Sequence, residues 1–169
     1  QTTPNDTYFS RQYGLVNNGT FSYSLAKDDA DIDMELGWEI EQGDSSVIVA
    51  ILDSGAKIDH PEFSGRIWNN SKETLNNIDD DNNGYIDDIN GWDFVNKDNN
   101  PTDDDGHGTN VTGIVGANAN NGIGYSGIDW NCKLMIGKII DANNSGLYSN
   151  WTEAIYYAVD NGAKVINMS

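Results

Sequence analysis

"VIVAILDSG", residues 47–55, is an unbroken β-branched and apolar run that ends abruptly in Asp53-Ser54-Gly55. Such a run is the mark of a strand buried on both faces, as strands are in a parallel sheet. Functional groups in open α/β sheets gather at the carboxyl ends of the strands, which is where Asp53 falls. A second run of the same kind, "KLMIGKII", spans 133–140, and "KVINMS" (164–169) opens a third. Between them "NWTEAIYYAVDNG" (150–162) sets Trp151, Ala154, Ile155, Ala158 and Val159 at helical spacing. Asn150 is placed to cap that helix, Glu153 takes the capping-box position and Gly162 ends it. Strand, helix and strand over 133–169 predict a right-handed βαβ unit. The fold class is therefore α/β, with a mostly parallel central sheet flanked by helices.

Elsewhere the pattern is looser. Residues 1–29 show turn residues without periodicity and predict an extended N-terminal arm. "DADIDMELGWEIEQG" (29–43) predicts a short amphipathic helix stopped by Gly43. A long Asp- and Asn-rich stretch, 69–105, surrounds one short strand, "GWDFV", and loops of that length are usually functional or disordered. "HGTNVTGIVGAN" (107–118) then predicts a buried helix, with Val111, Ile114 and Val115 on one face, His107 in its first turn and Asp105 near its cap.

Composition narrows the function classes. The chain has 169 residues, the length of one ordinary domain, and its 5 Trp and 8 Tyr argue against disorder. A net charge of −18 opposes nucleic acid and anionic membrane surfaces, and no basic cluster offers an exception. No apolar run has the length of a membrane span, and no signal peptide opens the sequence, so an exported protein would be seen here in processed form. One Cys and two His leave no room for a closed zinc site or an internal disulfide. Cys132 precedes an apolar run, as a buried inert thiol does.

His107 lies in "DDDGHGTNVTG" (103–113). An imidazole acting as base on a hydroxyl needs a carboxylate to fix its tautomer and stabilise the imidazolium. Asp53, at a buried strand end, is the candidate. A helix N-terminus disfavours charge on His107 and Asp53 favours it, a balance that leaves a mostly neutral imidazole near pH 7. The plainer alternative is an Asp capping a turn and a His packed at a helix start.

Context decides between them. "VAILDSGAKIDHPEF" (49–63) resembles the catalytic-aspartate segment of the subtilisin-like serine proteases. "DGHGTNVTGIVGA" (105–117) resembles their catalytic-histidine segment, "GAKVINMS" (162–169) their substrate-binding strand, and "NDTYFSRQYGL" (5–15) the mature start of thermitase-type members. Asp before His is the family's order along the chain. The resemblance implies that the chain is the N-terminal half of a subtilisin-like three-layer fold. It also implies a serine endopeptidase in which Asp53 orients His107 as general base. The nucleophile motif, of Gly-Thr-Ser-Met-Ala type, and the oxyanion-hole Asn have no match here, so the remainder of the domain is expected beyond Ser169 and the fragment alone is expected to be inert. Asn110 and Thr112 stand where the family usually has His and Ala, and neither is a triad position. Ser54 is expected to support the hydrogen bonding of Asp53. The competing function is a non-catalytic calcium-binding scaffold or interaction domain of the same fold.

"DDDNNGYIDD" (79–88) sets Asp79, Asp81 and Asn83 at alternate positions before Gly84, with the Tyr85 carbonyl and Asp87 or Asp88 available to complete an oxygen cage. Calcium takes six to eight oxygens in a flexible arrangement, which this pattern suits. An EF-hand would want Glu at position 90, which is Asn90. The alternative is a solvated acidic loop. By resemblance alone, Asp6, Glu62 and Asn121 match a second calcium site that ties the arm to the core. By resemblance also, Ser145 and Gly146 of "NNSGLYS" pair with a peptide or protein substrate, Tyr148 rims a pocket, and Ser169 belongs to the substrate-binding strand. The implied partners are that substrate, the C-terminal half of the domain and a cleaved inhibitory propeptide. The implied location is extracellular.

Overall fold

The computed structural model describes residues 2–21 and 26–169. In chain order its elements are helix α1 (Met34–Ile40), strand β1 (Ile48–Asp53), strand β2 (Gly91–Asp93), helix α2 (His107–Gly116), strand β3 (Lys133–Lys138), helix α3 (Tyr148–Asp160) and strand β4 (Val165–Met168). The four strands form one sheet in the order β2-β3-β1-β4, and every pairing is parallel. Register puts Asp53 opposite Lys138 and Lys138 opposite Asp93. One row across the carboxyl end of the sheet thus holds two acids and a lysine.

The period of two along a strand explains why β1 reads as continuously apolar. Ala50 and Leu52 face α3 together with Met135, Phe94, Ala154, Tyr157 and Ala158. Val49 and Ile51 face the other way with Leu134 and Ile136, against Val111 and Val115 of α2. Both faces are covered, so both sets must be apolar, and helix, sheet and helix make three layers. Cys132 lies buried beside the second core as a free thiol, and burial there pushes its pKa up to about 11.

Several expectations need adjusting. The described part of the arm is more than extended chain. It has a 3-10 turn at Phe9–Arg11, and Phe9 and Leu15 pack on Trp38 of α1 to form a third, smaller core. Residues 1 and 22–25 of the predicted arm lie outside the described residues. Helix α1 ends at Ile40, and Glu41 turns extended two residues before Gly43. Helix α3 starts at Tyr148 with Leu147 at the cap, so Asn150 is buried inside the first turn. Glu153 then reaches Lys97 at 2.7 Å and the Tyr85 hydroxyl at 3.3 Å instead of closing a capping box. In α2, Ile114 points outward while Gly108, Thr112 and Gly116, spaced four apart, form the buried stripe. Close approach required small residues there, not large apolar ones.

Candidate active site

Strand β1 stops at Asp53 because Ser54 and Gly55 leave the extended conformation, with Gly55 at φ +100°. A side chain at Gly55 would strike the Pro101 carbonyl, 2.5 Å from its would-be Cβ, so only glycine lets the chain turn there. Asp53 is fully buried as a result, while the His107 side chain is half exposed. His107 Nδ1 lies 2.8 Å from Asp53 Oδ1 and 3.0 Å from Oδ2. An ionised carboxylate only accepts, so the Nδ1–H donates and neutral His107 keeps its Nε2 lone pair on the solvent side. Asp53 Oδ1 also accepts the Ser54 N–H at 2.6 Å.

Helix α2 can sit this close because residue 108 is glycine. A Cβ at that position would lie 2.1 Å from the Gly55 carbonyl and 3.0 Å from Asp53 Oδ1. The Gly108 N–H donates to Ser54 Oγ at 2.9 Å, and Ser54 Oγ donates to Asp103 at 2.8 Å. The expected supporting role of Ser54 is therefore exercised through the next turn. The helix cap itself is Gly106, while Asp105 accepts the His107 N–H at 3.2 Å. The hydrogen bond and charge of Asp53, aided by Asp105 and Asp103, raise the pKa of His107 above 6.5. The carboxylates thus outweigh desolvation, and the balance shifts toward the imidazolium.

A strand-end carboxylate holding Nδ1 of a helix-start imidazole is the geometry of a positioned general base. A sequence model of the subtilase family (peptidase S8) matches residues 44–169. The chain belongs to the subtilase family. It is 33% identical over 168 residues to a thermophilic serine proteinase of Bacillus sp., covering 99% of this chain and 33% of that protein. Identity to thermitase of Thermoactinomyces vulgaris is 32% over 168 residues, 99% of this chain and 47% of that one. Subtilisin-like protease 1 of Plasmodium falciparum is 41% identical over 126 residues, 73% of this chain and 18% of its own. The chain therefore spans less than half the length of these relatives. The serine protease of Aeromonas sobria, solved with its chaperone, shares the fold with a TM-score of 0.69 at 24% identity, over 99% of this chain and 26% of that one. A Pseudoalteromonas arctica protease does so with a TM-score of 0.68 at 23% identity, over 99% and 50%.

The remaining residues singled out by resemblance have the following places in the fold. The backbone N–H groups of Ile139 and Ile140 donate to the Asp53 carbonyl at 2.8 and 3.4 Å, which starts the segment after β3 beside the acid. Ser145, Gly146 and Tyr148 follow in that exposed segment, where Tyr148 stacks edge-on against Trp151. Ser169 continues β4, its N–H donating to the Leu52 carbonyl at 3.3 Å. Asn110 is exposed one turn along α2, and Thr112 is buried, its Oγ donating to the Gly108 carbonyl at 2.7 Å.

In the acidic loop the structure gathers Asp79 and Asp81 with Glu73, carboxylate oxygens of all three lying within 4.8 Å of one another. Three carboxylates so close repel one another, and the exposed Lys72, 3.9 Å from Asp81, offsets little of that repulsion, so the donor set fits a divalent cation. Asn83 shapes the turn, its N–H bound by Asp79 and Asp81 and its Oδ1 accepting the Tyr85 N–H at 2.8 Å. Asp87 and Asp88 are not brought into that cluster. Asp87 accepts the Asn76 and Asn77 N–H groups, and Asp88 accepts Asn70, Asn83 and the Tyr157 hydroxyl. Glu73 escapes sequence reasoning because it lies outside the alternating run, six residues before Asp79.

The second set is brought together by the fold. Asp6 accepts the Asn120 and Asn121 N–H groups at 2.7 and 3.3 Å, and Asn121 Nδ2 donates to Glu62 Oε1 at 3.2 Å. Asp6 and Glu62 are both buried, and Glu62 Oε2 has no hydrogen-bond partner. An orphaned buried carboxylate oxygen, linked through Asn121 to a second buried acid, also fits a cation.

Proposed function

We propose that this subtilase chain carries the base and its positioning acid in a calcium-stabilised, secreted serine endopeptidase. The observation that carries the reading is the Asp53–His107 pair, with Nδ1 held and Nε2 open at the carboxyl edge of the sheet. Asp53 fixes the tautomer. Neutral His107 takes the proton of a serine hydroxyl as its oxygen attacks the substrate carbonyl, then returns that proton to the departing amine. Water repeats the cycle in the second half, releasing the acid and restoring the serine.

In this reading the serine and the oxyanion donor come from sequence outside these 169 residues, since no Gly-Thr-Ser-Met-Ala type motif occurs within them. Ser54, the serine beside the acid, does not compete for the role, since its Oγ is bound by both Asp103 and Gly108. Ser145, Gly146 and Ser169 offer backbone to an extended peptide, and Tyr148 rims a side-chain pocket. This mode gives affinity by strand pairing without narrow selectivity. Glu73, Asp79 and Asp81 would hold one calcium ion and Asp6, Glu62 and Asn121 another, each supplying positive charge that offsets clustered carboxylates. An inhibitory propeptide completes the partner set. Among the described residues no helix is long and apolar enough to cross a membrane.

A fluorophosphonate serine probe tests the reading on the complete protein. Stoichiometric labelling that disappears in His107→Ala supports it. Absence of an adduct on the intact, folded protein refutes it and leaves the scaffold alternative.

A further inference from the structure

We infer that Asp103 is a positioning residue for the Asp53–His107 pair, one carboxylate that ties the strand end bearing the acid to both sides of the turn bearing the base. The inference rests on the protease reading above. Asp103 Oδ1 accepts the Ser54 hydroxyl at 2.8 Å and the N–H groups of Asp105 and Gly106 at 3.0 and 2.8 Å. Its Oδ2 accepts the Thr109 N–H at 2.8 Å and the Thr109 hydroxyl at 2.5 Å. His107 is thereby bracketed, with residues 105 and 106 held on one side and 109 on the other. The circuit closes through Ser54, whose oxygen accepts the Gly108 N–H while its own N–H binds Asp53.

An ordinary helix cap would satisfy the α2 N–H groups and stop there. Asp103 also crosses 49 residues of sequence to the neighbour of the positioning acid, so strand end and helix start cannot drift apart independently. The loop is pinned from its other side as well. Buried Lys138, the sheet partner of Asp53, holds Asp104 at 2.5 Å and Asp93 at 3.7 Å. The charged groups around the turn are Asp53, Lys57, Asp59, Asp93, Asp104, Asp105, Lys138 and His107 itself. Burial opposes ionisation of Asp103, but the bonds from Thr109, Gly106 and Asp105 prevail and hold its carboxyl at about 2. It is an anion wherever His107 titrates. Asparagine is the same size, yet its amide nitrogen accepts nothing, so one of the two donor sets goes unmet.

The test is Asp103→Asn and Ser54→Ala in the complete protein, with rates expressed per site titrated by the fluorophosphonate. In Asp103→Asn, kcat per site is expected to fall by at least about tenfold with KM unchanged, because misplacing a catalytic group raises the barrier without weakening substrate binding. The acid limb of the rate moves to lower pH, since one carboxylate that raises His107 is neutralised. Ser54→Ala breaks the bridge without changing charge and lowers kcat while leaving the acid limb in place. A purely structural role would reduce the number of titratable sites and leave the rate and acid limb of each unchanged, which overturns the inference. Ring nitrogen NMR of His107 reads the same variants without chemistry. A lowered midpoint in Asp103→Asn and a smaller Nδ1–H population in either variant sustain the inference, and wild-type values overturn it. Should Asp103→Asn fail to fold, Ser54→Ala decides by kcat per site and tautomer. Should the wild type refuse the probe, the protease reading falls and the NMR arm still judges Asp103.

Discussion

The Tyr157 hydroxyl of α3 donates to Asp88 Oδ2 at 2.6 Å inside the core, joining the helix behind the sheet to the far end of the acidic loop. Both residues are buried, and Asp88 also accepts Asn70 and Asn83, so the bond anchors the loop that positions Asp79 and Asp81. Burial and the Asp88 charge together push the Tyr157 pKa far above its ordinary value. Tyr157→Phe keeps the ring among Phe94 and Tyr85 and removes only the donor. Loss of a buried hydrogen bond to a charged acceptor is expected to cost about 1.5–3 kcal/mol, read by calorimetry as a lower Tm. A Tm equal to wild type would mean that the loop is held from elsewhere.

Calcium removal follows from the same loop. Three gathered carboxylates are an unfavourable arrangement that a bound cation reverses. Chelation of a protein held at 100 times the Kd is expected to lower stability by about 2.7 kcal/mol, or about 5–10 °C in Tm for a domain of this size. Glu73→Gln should weaken calcium binding, measured by titration calorimetry, and reduce the chelator effect. An undiminished calcium enthalpy in Glu73→Gln would place the ion elsewhere.

β1 and β3 were legible because burial on both faces leaves an apolar run, and Asp53 because it ends one. His107 was legible from its Gly-rich turn. Glu73 was not, since the fold brings it to Asp79 and Asp81 from outside their alternating pattern. Asp103 was hidden within a run of three aspartates, where nothing local tells the bridging carboxylate from the two beside it. In α2, hydrophobic periodicity placed Val111 and Val115 against the sheet as found, but Ile114 is exposed and the most deeply buried face is Gly108, Thr112 and Gly116. Packing distance, not apolarity, selected that face.

Gly108 makes the point testable. A Cβ there would lie 2.1 Å from the Gly55 carbonyl, a backbone atom that cannot step aside. Gly108→Ala is expected to destabilise the protein by about 1–3 kcal/mol through overpacking. The displaced helix start should also lengthen the Asp53–His107 contact, slowing fluorophosphonate labelling at fixed pH. Normal labelling in a destabilised variant would show that the turn moves as one unit with Asp53.

The pH dependence of His107 has a definite sign. Its pKa is raised above 6.5, first by the Asp53 hydrogen bond and charge and then by Asp105 and Asp103. The proposed base works as neutral imidazole, so the rate is expected to climb as pH rises through the folded pKa, with the acid limb above 6.5. Stability runs the other way. A group whose pKa is higher when folded contributes stability that is complete below the unfolded value and is lost as pH rises through the folded one. Asp53→Asn removes the main cause of the shift, so the His107 midpoint seen by NMR should drop and this slope of stability with pH should shrink to what Asp105 and Asp103 sustain. Labelling in that variant should fall by about 10⁴-fold, because the amide favours the wrong tautomer. An unchanged His107 midpoint in Asp53→Asn would show that the other aspartates, and not the one touching Nδ1, set the charge of the base.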